Sequence, residues 1–152
     1  MLVWKANRSK NQTRDRLASL GGSFRKAARS IARNLYEAKT PKERLRVLMQ
    51  NWGFRLATGT ALLTVLYPTF FTVYDTRVCT ILGRFGDLAD RTFSDDLWTQ
   101  YLKFKRCVND AVPGAMPLRD KDRYLWGRSL YYDCKRQCTG NTREVRGQID
   151  QT

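Results

Sequence analysis

The stretch LATGTALLTVLYPTFFTVY, residues 56–74, contains no charged residue in a chain where 28% of residues are Asp, Glu, Lys or Arg. Charge stops at Arg55 and resumes at Asp75. As a helix rising about 1.5 Å per residue, the run would cover roughly 28 Å, close to the hydrocarbon thickness of a bilayer. Trp52 precedes it, and Tyr67 and Tyr74 lie towards its other end, where amphipathic rings favour the headgroup region. The run therefore reads as one membrane-spanning helix. The competing reading is a buried core helix of a soluble protein, because the run also holds five threonines, a glycine and Pro68. A threonine hydroxyl can return to a carbonyl one turn back, and a proline kink leaves a carbonyl that neighbouring helices must cover. A span of this composition is expected to pack against other proteins.

Upstream, Thr40-Pro41-Lys42-Glu43 is the sharpest local signal. Thr40 suits the N-cap, Pro41 the first helical position where no amide proton is needed, and Glu43 closes a capping box. Leu45, Leu48, Met49 and Trp52 carry the apolar side of that helix into the neutral run. One helix from Pro41 to about Tyr74, on the order of 50 Å long, is expected. Within it Ala57 and Ala61 form a small-xxx-small pair, and Gly59 offers another point of close approach for a neighbouring backbone. Before it, Gly21-Gly22 breaks the chain and Ser23 is a plausible cap. Phe24, Ala28, Ile31 and Leu35 then form an apolar stripe, with Arg25, Lys26, Arg29 and Arg33 around the rest. Such a basic amphipathic helix suits a membrane interface, a protein partner or an RNA backbone.

Downstream, residues 75–90 form a transition broken by Gly83 and Gly86. Phe93 to Val112 reads as a helix capped by Thr92 or Ser94, with Leu97, Tyr101, Phe104 and Val108 as its stripe. Pro113-Gly114 and Pro117 force a loop, and a last helix from about Asp120 to Cys138 carries Tyr124, Leu125, Trp126, Leu130 and Tyr131. The expected fold is all-α. An amphipathic N-terminal helix precedes one long helix containing a single transmembrane span, and a small C-terminal helical region follows. The corresponding divisions are a basic extension (1–22), a basic amphipathic region (23–55), the span (56–74), a cysteine-containing helical region (75–138) and a polar, poorly ordered tail (139–152).

Charge is distributed unevenly. The chain has 28 Lys and Arg against 14 Asp and Glu, a formal net charge of +14. Residues 1–55 hold 14 of the cations and three acids (Asp15, Glu37, Glu43), so the excess lies before the neutral run. By the positive-inside rule that half stays in the matrix or cytoplasm and the C-terminal half crosses. The first 22 residues, rich in Arg, Lys, Ser and Asn and poor in acid, have the composition of a mitochondrial targeting sequence, here retained. A solvated basic tail is the alternative.

Little points to catalysis. The chain has no histidine, which removes the commonest general base and every His-dependent triad or zinc pattern. It contains no Gly-rich phosphate loop and no nucleophile elbow. Asp95, Asp96, Asp120 and Asp122 sit where helix starts need carboxylates. Neither an enzyme nor a cofactor is expected. The cysteines Cys79, Cys107, Cys134 and Cys138, with 27, 26 and 3 residues between them, match no structural zinc spacing, so no metal is expected. Cys134 and Cys138 share a helix face and look like half of a paired-cysteine helix of an intermembrane-space protein, without the repeat on a second helix. A disulfide among the four and packed thiols both remain open.

The layout of basic N-terminus, amphipathic helix, single span and small cysteine-bearing helical region resembles the supernumerary single-pass subunits of mitochondrial oxidative-phosphorylation complexes. The resemblance covers layout alone. It implies a non-catalytic structural or assembly subunit of a respiratory-chain or ATP synthase complex, with its N-terminus in the matrix and its C-terminus in the intermembrane space. Its implied partners are other subunits and anionic phospholipid such as cardiolipin. Arg44, Arg46 and Arg55 become candidates for lipid phosphates, with solvated charge as the plainer account of each. The rival is a soluble RNA-binding protein of mitochondrial ribosomal type, suited to the basic half and its interspersed aromatics. No RNA-recognition motif supports it, and nucleic acid is not the expected partner.

Overall fold

A computed structural model describes residues 10–149 apart from Pro113, and for residues 10, 12 and 139–149 it describes the backbone only. Among the described residues the regular structure is entirely helical: α1 (Lys10–Gly21), α2 (Phe24–Glu37), α3 (Pro41–Arg46), α4 (Leu56–Leu66), α5 (Thr76–Leu82), α6 (Asp95–Asp110) and α7 (Leu118–Ile149). The expected all-α class holds. The membrane span does not: among the described residues no helix is long and apolar enough to cross a membrane.

Two backbone devices break the expected long helix. After α3 the chain passes through a π-helical turn, Val47–Asn51, and Gly53 takes φ +61°, where an L side chain is strained. The Phe54 amide then donates back to the Leu48 carbonyl at 2.9 Å, closing the turn with a reversal typical of helix C-termini. The second device is Pro68. It disfavours helical geometry for the residue before it, and Tyr67 accordingly leaves the helix at φ −137°, ψ 64° as α4 ends. Residues 71–75 run without regular structure until Asp75 caps α5 through the Arg77 amide.

The charge-free run is therefore core. Leu56, Leu63, Phe71 and Tyr74 are fully buried, in one cluster that reaches from Leu17 on α1 to Leu125 on α7. Its polar groups are satisfied internally. Thr60 and Thr64 return their hydroxyls one turn back, to Leu56 and Thr60 carbonyls at 2.8 and 2.7 Å. The segment 72–74, buried at Thr72 and Tyr74 and without a helical or sheet partner, receives its hydrogen bonds from three helices. The Tyr101 hydroxyl of α6 accepts from the Thr72 amide (3.1 Å) and donates to the Thr72 carbonyl (2.8 Å). Asp122 of α7 accepts from the Val73 amide and the Thr72 hydroxyl, both at 3.0 Å. Thr60 of α4 accepts from the Tyr74 amide at 3.0 Å. A buried backbone group left without a partner costs about 1–3 kcal/mol, so these contacts decide whether the segment can lie inside.

Other sequence expectations fare unevenly. The capping box of Thr40 and Glu43 forms with Pro41 at the helix start. Ser94 caps α6 through the Leu97 amide, and Leu97, Tyr101, Phe104 and Val108 are all fully buried. The expected basic extension is in part a helix, for α1 packs on α2 and buries Leu17. Gly21 lies where a Cβ would come within 2.7 Å of Ala27, and that approach closes the α1–α2 turn. The part of the expected basic extension at residues 1–9 lies outside the described residues. So does the polar tail for residues 150–152, while the backbone of 139–149 continues α7.

Candidate functional site

α2 has a packed face and a cationic face. Ala27 and Leu35 are buried, Ile31 lies against the core, and the Asn34 carboxamide accepts from the Trp52 indole at 3.2 Å. The inward stripe is rotated from the expected one: Ala28 is exposed, and Phe24 is 45% exposed. Opposite it stand Arg25, Lys26, Arg29 and Arg33, all exposed. None of the four forms an ion pair among the described residues. Tyr36, 85% exposed, lies seven residues beyond Arg29 and so on the same side of the helix.

The three arginines singled out as lipid candidates do not act together. Arg44 is half-buried with its guanidinium stacked on Tyr67, 4.0 Å from the ring centroid, and its Nε is buried with no hydrogen-bond partner among the described residues. Arg55 pairs with Asp90. Arg46 is exposed near the Glu43 carboxylate, whose pKa lies below its ordinary value chiefly through hydrogen bonds from the Thr40 and Lys39 amides. Of the helix-packing candidates, Gly59 and Ala61 are buried and Ala57 is half-buried. A Cβ at Gly59 would meet Leu45, Leu48 and Met49 at 3.5–3.9 Å, where α4 crosses α3 and its π-helical turn.

Among the described residues the cysteines form no disulfide; Cys79 is buried, Cys107 intermediate, and Cys134 and Cys138 exposed. Burial pushes the Cys79 thiol up to about 11. Cys107 Sγ accepts from the Arg84 guanidinium at 3.0 Å. No group of three or more metal-ligating side chains gathers among the described residues.

The carboxylates expected at helix starts divide. Asp95 pairs with Lys42 at 2.9 Å, Asp96 with Arg91 at 2.9 Å and Asp120 with Arg123 at 3.3 Å, all at the surface. Asp122 instead enters the core, and Arg119 completes its set at 3.1 Å. A cleft of about 290 Å³ opens beside it, floored by Val73, Val78 and Trp126. Of its charged groups, Arg119 pairs with Asp122 and Arg123 with Asp120, Asp75 accepts from the Arg77 amide, and Asp122 spends its oxygens on the fold. Buried Lys121 donates to the Asn109 carbonyl at 2.9 Å, placing its charge at the C-terminal end of α6, where a cation is favoured.

The second surface, which the sequence reading left without a facing, is the outside of α7. Lys121, Asp122, Leu125 and Ser129 face inward, while Tyr124 (51%), Trp126 (41%), Leu130 (40%) and Tyr131 (63%) are exposed. A strict helical projection from the buried set would have separated the two faces. No family model, curated protein or solved structure matches the chain.

Proposed function

We propose that this chain is a non-catalytic structural or assembly subunit of a mitochondrial inner-membrane complex of respiratory-chain or ATP synthase type. It braces neighbouring subunits and rests against anionic headgroups such as those of cardiolipin. The observation that carries this reading is the outer face of α2, with four cations and no carboxylate partner among the described residues. Near an anionic bilayer each such cation contributes about 1 kcal/mol, so the four together suit a reversible, salt-sensitive contact. The acid-poor N-terminal composition supports the mitochondrial setting. A cationic helix face of this kind suits a contact at the surface of an anionic membrane.

The internal chemistry supports a bracing rather than a catalytic role. Tyr101 and Asp122 are committed to backbone amides, and Cys79 is a buried thiol. A second reading, RNA binding, is favoured by one feature: Tyr36 stands among the arginines, where a ring could stack on a base while guanidinium groups meet phosphates.

Fractionated mitochondria separate the two. Release from the membrane pellet by alkaline carbonate, with co-migration in a large complex on native gels in mild detergent, is the expected result. Migration at the chain's own size would overturn the assembly reading. Nuclease-sensitive co-sedimentation with ribosomal particles would replace it with the second.

A further inference from the structure

On α7 the exposed residues Tyr124, Gly127, Tyr131, Cys134 and Cys138 recur at spacings of three and four. That is the heptad rhythm of a seam that docks another helix. Leu130 widens the seam on one side, and a Cβ at Gly127 would meet nothing within 4 Å, which leaves room for a close approach. The opposite face of the same helix is already occupied, with Lys121, Asp122, Leu125 and Ser129 buried against the body. A run of exposed aromatic and aliphatic side chains on a helix whose inner face is spent marks an interaction surface.

The flanks say which helix fits. Arg123, paired with Asp120 at 3.3 Å, and Arg128 border the seam on its two sides, and Lys135 follows Arg128 one heptad on. Arg128 bonds to the Tyr132 hydroxyl at 3.1 Å and forms no ion pair among the described residues. A second copy would bring like charges against these positions and add its own +14. We infer that the outer seam of α7 docks an amphipathic helix of a different protein, apolar at its heptad core positions and acidic on its flanks. The inference rests on the reading of the chain as an assembly subunit and names the kind of neighbour it takes.

The test uses the purified full chain and two synthetic helical peptides with the same leucine heptad core, one flanked by Glu and one by Lys. Fluorescence anisotropy should show the Glu-flanked peptide bound at least about ten-fold more tightly, with the preference weakening in salt. Tyr131→Lys, at an exposed site, should abolish binding without changing the circular dichroism. Arg128→Glu should shrink or reverse the preference. Equal binding of both peptides, binding unaffected by Tyr131→Lys, or no binding at all would overturn the inference. So would a stable dimer by sedimentation that Tyr131→Lys dissolves, since the seam would then be a self-contact. Because the peptides replace the native complex, this outcome is independent of whether the chain migrates with an inner-membrane assembly.

Discussion

Removing one oxygen atom, by Tyr101→Phe, tests the claim that side chains hold the charge-free run inside the protein. The ring keeps its packing against Phe71 and Phe104, with centroids at 6.2 and 6.3 Å. What is lost is a hydroxyl that serves both polar groups of Thr72, at 3.1 Å from the amide and 2.8 Å to the carbonyl. Burial raises the pKa of that phenol above the ordinary tyrosine range, so it is a donor at neutral pH. Two buried backbone groups left unsatisfied cost about 1–3 kcal/mol each; allowing for relaxation, a total near 3 kcal/mol is expected. For a chain of this size that corresponds to a fall in Tm of roughly 6–12 °C. Urea unfolding followed by far-ultraviolet circular dichroism measures it, with an unchanged slope against denaturant expected. Tyr124→Phe, at a 51% exposed position on α7, is the control and should stay within about 0.5 kcal/mol of the parent. If Tyr101→Phe loses less than about 1 kcal/mol, or no more than the control, the hydroxyl does not hold the segment and the reasoning fails.

The two glycines at helix contacts should respond with opposite signs. Gly59→Ala adds a methyl at ordinary contact distance inside α4 and should stabilise by about 0.5–1 kcal/mol, whereas Gly21→Ala drives a Cβ to 2.7 Å from Ala27 and should destabilise by about 1–3 kcal/mol; paired urea melts decide. The Glu43 carboxylate titrates below its ordinary value because it accepts from the Thr40 and Lys39 amides. Its contribution is present above the unfolded-state pKa and is lost as pH falls through the folded one. Glu43→Gln should therefore lower the urea midpoint at neutral pH more than at acidic pH, and an equal loss at both would contradict this. At neutral pH a maleimide should modify Cys134 rapidly and Cys79 only on unfolding, because Cys79 is buried with its thiol pushed up to about 11; mass mapping of labelled peptides reads the order.

Elements specified by neighbours along the chain were legible. The Thr40–Glu43 box and the α6 stripe follow from side chains three and four residues apart. The neutral run was legible as apolar, but its destination was not, since bilayer length and core length look alike in composition. Two local signals did bear on the answer. Gly53 directly after Trp52 is a helix-stop pattern, and Pro68 disfavours the helical continuation of Tyr67, so a strict reading of breakers would have cut the run off from the preceding helix and ended its own helix early. Asp122 could not have been found this way. It stands near a helix start, where a carboxylate usually serves the helix itself, and the Val73 amide and Thr72 hydroxyl that donate to it lie 49 and 50 residues away. The outer face of α7 was obscured because the residues that face inward include a lysine and an aspartate, so hydrophobicity alone does not separate the two sides of the helix.

The segment at 72–74 also constrains how the chain can come apart. Its hydrogen-bond partners lie 14, 29 and 49 residues away for Tyr74, Thr72 and Val73, on three separate helices. Peeling away any one of α4, α6 or α7 leaves an amide of this segment without its acceptor, so partial opening is penalised at the centre rather than at the rim. These three amides should exchange with deuterium only through complete unfolding, at the free energy of the whole transition. Pairings that distant in sequence also mean that early folding steps close long loops before any contact repays them. The consequence is all-or-none behaviour: cutting the chain ahead of α7 would leave a peptide unable to bury its own most apolar stretch, not a smaller domain.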